Sequence, residues 1–242
     1  MTHHTTVDSQ NKKALAIRYE GELTAIDAAN AIRAARLNAI DLFDTAEILF
    51  TLKRFPHSMA FSTLAIEESS KPTVLLSIFC AEDDQQRIKG WKSYRSHLAK
   101  TADLNKAIES RIRVTFPQIP REEAKRIGEA GPTPKELEYN KQLAVYSDCV
   151  TESAGFVCHC PGVSEWRQLA WERLCEAQAL VHALRDRPPG ELEIIRKHIR
   201  QRPPNGDPVL TLKELHRELL ERGFVKEGWW DTLLEDMQQG LE

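Results

Sequence analysis

The sequence predicts an all-α fold, an antiparallel helical bundle with a small helical C-terminal appendage, and three observations carry that prediction. Long stretches rich in Ala, Leu, Glu, Lys and Arg dominate, and only 11 Gly and 12 Pro interrupt the 242 residues. Within those stretches apolar positions recur with a helical period, not the alternation of a strand. The break between the first two helices is short, and short breaks join helices that run antiparallel. Hydrophobic residues make up 41% and charged residues 29%, an ordinary balance for a globular chain able to bury a sizeable core.

In chain order, residues 1–21 are polar and read as a flexible tail. Glu22 to about Phe50 reads as one helix, in which Ala25, Ala28, Ala29, Ile32, Ala35, Ala39, Phe43 and Ala46 keep the rhythm. So many small residues let a neighbouring helix approach closely. Arg54-Phe-Pro-His57 makes a break, with Pro56 suited to the first turn of the next helix. That helix contains PHSMAFSTLAIEESSKPTVLLSIF (56–79), which Pro72 is expected to bend without ending. Cys80 to Asp84 reads as a turn. A third helix follows to about Ile108, with Ile88, Trp91, Tyr94, Arg95 and Leu98 on its core face.

Residues 111–135 are rich in proline and charge and read as an extended connection with one helical turn. A fourth helix is expected from Glu136 to about Glu152 and a loop over 155–164. Ser164 then caps a fifth helix, whose Trp166, Leu169, Ala170, Leu174, Ala177, Leu180 and Val181 hold a heptad-like spacing. Arg187-Pro-Pro-Gly and Arg202-Pro-Pro-Asn-Gly-Asp are the clearest punctuation. A short helix lies between them and two more follow, with a capping-box pattern at Thr211-Leu-Lys-Glu214 and a stop at Gly223. The chain thus divides into a tail (1–21), a bundle (22–187) and an appendage (188–242) that packs on the bundle through Trp229 and Trp230.

Composition excludes several function classes. The net charge of −3 gives no global basic field for nucleic acid, although a local basic patch is compatible with it. No apolar run approaches the length of about 18 residues that a membrane span needs. The first residues lack an apolar signal core, and five scattered cysteines suit a reducing compartment, so a cytoplasmic protein is expected. Cys158-His159-Cys160, even with Cys149, lacks the paired spacing of a structural zinc site and reads as free thiols in a loop. No phosphate-binding loop, dinucleotide fingerprint or nucleophile elbow is present, and no metal or cofactor is expected.

The feature that calls for a chemical reading is the apolar side of the second helix. At about 100° per residue, Ala60, Leu64, Glu67, Lys71, Val74, Leu75 and Ile78 share one side, and Glu68 borders it. Charges at the centre of an apolar face need partners, because an unpaired buried charge costs several kcal/mol. The next helix supplies them in WKSYRSHLAK (91–100). Arg95 suits bidentate pairing with a carboxylate, and His97 exchanges a proton near neutral pH. Lys100 follows one turn later. Such a set can hold a phosphate while His97 moves a proton. An ion-pair network that fixes helix register explains the same residues without chemistry.

Three segments carry a resemblance: LAIEESSK (64–71), WKSYRSHLAK (91–100) and KQLAVYSDC (141–149) with the glycine and proline that follow. In this order they resemble the AbiV-type abortive infection proteins, over roughly residues 24–165. The resemblance implies an antiphage defence role, a helical bundle and kinship with HEPN-type domains, many of which are dimeric ribonucleases. It points to Glu67, Glu68, Lys71, Arg95, His97 and Lys100 as the catalytic set. Lys92 and Tyr94 are then substrate-binding residues, and the later segment adds Tyr146 and Asp148 as substrate-binding or core residues. The chain departs from the HEPN ribonuclease pattern, which places an arginine a short step ahead of its histidine. Here the nearest match is Lys92-x-x-x-x-His97, a lysine in place of the planar guanidinium. Ser70 also stands where the relatives usually carry glycine.

The expectation is a cytoplasmic effector that halts translation or RNA metabolism on infection, acting on RNA or the translation machinery without a metal. A homodimer and a phage protein as trigger are the expected partners, with no membrane. The rival is a non-enzymatic defence protein whose polar cluster is structural and which binds a phage protein or the translation machinery. A DNA-binding helix-turn-helix within 210–240 is weaker, since its second helix carries acids where phosphates would need bases.

Overall fold

In the structure, a computed structural model, residues 19–226 are described, except 103, 116–117, 146–148, 153–154, 159–162, 204 and 206. Ten helices occur among them, α1 (Ala25–Thr51), α2 (Phe55–Cys80), α3 (Asp84–Arg95), α4 (His97–Thr101), α5 (Leu104–Thr115), α6 (Arg121–Glu129), α7 (Pro134–Val145), α8 (Val163–Val181), α9 (Pro189–Gln201) and α10 (Pro208–Glu221). A two-stranded antiparallel hairpin, β1 (Cys149–Glu152) and β2 (Gly155–Cys158), is set between α7 and α8.

Helices α1 and α2 form the spine. Thr24 and Asp27 make a capping box that starts α1. Ala28, Ile32, Ala39 and Ala46 are fully or almost fully buried, so α1 lies close against its neighbour. The start of α1 shares a buried cluster with the end of α2 (Leu75, Phe79, Cys80), and its second half shares another with Ala65 and Ile66. This pairing of start with end is the antiparallel packing that the short break predicts. Helix α2 also packs against α3, α4, α7, α8 and α9, which makes it the central helix.

Pro72 lies inside α2 without ending it. It cannot donate to the carbonyl one turn back. Just ahead of it, Ser69 Oγ donates to Ile66 O and Ser70 Oγ to Glu67 O, at 2.7 and 2.8 Å.

The expected third helix is broken. At Ser96 the backbone is extended (φ −88°, ψ 122°) and its hydroxyl accepts from Ala99 N, so α3 ends and α4 begins on the same residue. The connection over 111–135 contains a full helix, α6, and the expected fourth helix stops at Val145, ahead of the hairpin. Asp207 caps α10, one turn before the capping box read at Thr211. Gly223 is the stop, at φ +72°.

The described part of the appendage shares its core with the spine. Leu192, Ile195, Leu215, Leu219 and Val225 belong to one buried cluster with Ala25, Ala28, Ile32 and Leu75. Glu191, fully buried, anchors the approach to α9 by accepting from Arg185 (2.7 and 2.6 Å) and Arg187 (2.5 Å). Trp229 and Trp230 lie outside the described residues.

Candidate functional site

Glu67 lies near the middle of α2 with its side chain only 3% exposed. Three cation-forming side chains from two other helices meet its carboxylate. His97 Nδ1 is 2.5 Å from Oε2, Lys100 Nζ is 3.6 Å from the same oxygen, and Lys141 Nζ is 2.7 Å from Oε1. The break at Ser96 makes this geometry. It restarts the helix so that His97 opens α4 and Lys100 follows one turn later, both facing α2.

The third partner was not predicted. Helix α7 brings Glu138 and Lys141, three residues apart, and the Lys141 ammonium bridges Glu67 to Glu138 Oε2, again at 2.7 Å. Burial works against the charge of Lys141, but the bonds to Glu138 and Glu67 outweigh it and its pKa is raised. For Lys100 burial wins and the pKa falls, despite Glu67. Burial also opposes the Glu138 carboxylate, yet bonds from Lys141 and Gln142 hold its pKa below the usual range.

The remaining predicted residues separate into a rim and a distant group. Lys71 pairs with Glu68 at 2.6 Å and lies 5.1 Å from the centre of the Tyr94 ring, next to the cluster. Lys92 is exposed on α3, and its carbonyl accepts from Ser96 N at the joint with α4. Arg95 is engaged elsewhere. It donates to Glu20 (2.6 Å) and to Tyr19 O (2.8 Å) and covers the Trp91 ring. With Trp91 Nε1 bonded to Gly21 O, it clamps the segment before α1 and is not a partner of Glu67. Tyr146 and Asp148 lie outside the described residues, as do His159 and Cys160.

Chemically, the centre is a carboxylate–imidazole pair. A carboxylate facing Nδ1 accepts a hydrogen bond from the N–H of that nitrogen, and in this tautomer Nε2 is the ring's acceptor. The His97 side chain is 55% exposed, while Glu67 behind it is buried.

Glu138 and Lys141 escaped the sequence reading because an acid and a base three residues apart on a helix usually form a solvated surface pair. The available signal was the recurrence of one pattern, Glu68-x-x-Lys71 and Glu138-x-x-Lys141, on two helices that flank His97.

The helical bundle belongs to the class of all-α, HEPN-like domains. Within that class, the HEPN_AbiV family, described as AbiV, matches residues 27–181, and the chain belongs to it. The match spans α1 to α8 and so contains the whole Glu67 cluster. No curated protein and no solved structure matches the chain.

Proposed function

We propose that this AbiV-family protein is an abortive infection effector that cleaves RNA as a metal-independent ribonuclease. In this reading His97 is the proton-transfer group. The observation that carries it is the 2.5 Å contact between Glu67 and His97 Nδ1, which turns a half-exposed imidazole into an oriented base. His97 Nε2 takes the proton of a ribose 2′-hydroxyl, whose oxygen attacks the adjacent phosphorus. The bond to the 5′ oxygen breaks, that oxygen takes a proton from water, and a 2′,3′-cyclic phosphate remains. Lys92, exposed on α3, is the cation through which the phosphate is held, since Lys71 is paired with Glu68, Lys100 is buried against Glu67 and Arg95 is committed to Glu20. Loss of intact RNA would shut down translation and stop phage multiplication.

One observation favours the rival reading, a defence protein that binds a phage protein or the translation machinery. Glu67, Glu68 and Glu138 offset Lys71, Lys100 and Lys141 charge for charge, so the cluster presents little field to a polyanion. The deciding experiment follows total RNA in infected cells carrying wild type or His97→Ala. Fragmentation that requires His97 supports the ribonuclease. Intact RNA with protection retained by His97→Ala supports the binding protein.

A further inference from the structure

Glu67, His97 and Glu138 offer ligand atoms that all lie within 4.8 Å of one another. Two carboxylates and one imidazole converging in this way form a donor set suited to a divalent cation such as Mn²⁺ or Zn²⁺. A cation needs the space between the carboxylates, and that space holds the Lys141 ammonium, 2.7 Å from an oxygen of each. The ammonium is well seated, with a side chain 12% exposed and on the same helix as Glu138. Lys100 adds a second fixed positive charge 3.6 Å from Glu67. A divalent ion entering this space meets two lysines that repel it in a partly dehydrated setting, where charge repulsion is least screened.

The geometry points to Lys141 as the internal cation of the site, a positioning residue that stands where a divalent metal otherwise binds and holds His97 in place through Glu67. The inference rests on the reading of His97 as the proton-transfer group and deepens it. The chain supplies its own countercharge to the carboxylates, so proton transfer at His97 draws on no metal cofactor. It also gives Glu138 a role, as the second carboxylate that keeps the ammonium from swinging out to solvent.

The test titrates Mn²⁺ into the full chain and reads the broadening of the His97 ring resonances by NMR, with folding followed by circular dichroism. RNA is absent, so the outcome is independent of ribonuclease activity. Wild type and Lys141→Arg are expected to show no site-specific broadening. Lys141→Met is expected to bind Mn²⁺ about tenfold or more tightly than wild type, because one fixed positive charge has gone. Adding Glu138→Gln to Lys141→Met should remove the gain. A merely structural lysine would give no such gain. Site-specific broadening in the wild type overturns the inference, and so does a folded Lys141→Met that gains nothing. Should Lys141→Met not fold, Lys141→Gln takes its place. Should that fail as well, the wild-type titration decides by itself.

Discussion

The carboxylate of Glu67 and the imidazole of His97 meet at 2.5 Å, one buried in the central helix and the other at the start of a helix that begins thirty residues later. Their exposures differ sharply, 3% against 55%, which assigns them different tasks. Glu67 is held, and His97 faces outward from what holds it. His97→Ala is therefore expected to leave stability within about 1 kcal/mol of wild type, as for a solvated side chain. If the protein is the ribonuclease proposed above, RNA cleavage should fall by roughly 10²–10⁴-fold, the usual contribution of a proton-transfer group. A fluorogenic RNA assay beside urea denaturation checks both, and cleavage that survives the substitution removes His97 from the chemistry.

Glu67→Gln should behave in the opposite way with respect to stability. The amide leaves Lys100 and Lys141, 5% and 12% exposed, beside a group with no charge. Breaking a buried ion cluster by removing one partner typically costs about 3–5 kcal/mol. Urea denaturation of the variant should show a loss of that order, well beyond that of His97→Ala. A cost under about 1 kcal/mol would mean that Glu67 is solvated in practice and that the cluster is loose.

The place of Glu67 amid Ala60, Leu64, Leu75 and Ile78 followed from the helical period, and so did its need for cations. Its pairing with His97 and Lys100 required only that consecutive helices pack together. The break at Ser96 was hidden, because a serine between Arg95 and His97 looks like helix until its hydroxyl caps Ala99 N in place of the chain. That break decides which residues face the site. It ends α3 on Arg95, whose guanidinium meets Glu20, and turns His97 and Lys100 toward α2. The hairpin at 149–158 was hidden too, since four-residue strands are too short to show alternation. Lys141 belongs to a contact between α2 and α7, far apart in sequence, and no local period reports such a contact.

The C-terminal helices should prove integral to the stability of the family domain. Leu192 is fully buried on α9 and clusters with Ala28 and Ile32 of α1 and Leu75 of α2. Leu192→Ala removes packing at that joint, and cavity formation there is expected to cost about 2–5 kcal/mol. If α9 and α10 fold as one unit with the bundle, thermal unfolding of the variant remains a single transition at lower temperature. Two resolved transitions, only one of them shifted, would show that the appendage melts by itself.

Glu176 on α8 gives a pH prediction away from the site. Burial pushes its carboxyl up to about 7 from 4.5, although the Arg173 guanidinium, 2.5 Å away, pulls in the other direction. Glu172 beside it adds to the rise. A carboxyl whose folded pKa is raised binds its proton more tightly in the folded state than in the unfolded one. Its contribution to stability is therefore fully present below about 4.5 and is lost as the pH rises through about 7. Glu176→Gln removes this titration while keeping the shape, and both proteins lose the same amount from every other titrating group. The difference in unfolding free energy between wild type and Glu176→Gln should therefore move in favour of wild type on acidification from pH 8 to pH 4.5. The shift of about 2.5 pH units between 4.5 and 7 corresponds to roughly 3 kcal/mol at most. Urea denaturation of the pair across that range measures it directly. A gap that stays constant with pH would show that the Arg173 guanidinium cancels burial and leaves Glu176 with its unfolded pKa, and a gap moving the other way would make the ion pair stronger than the burial that opposes it.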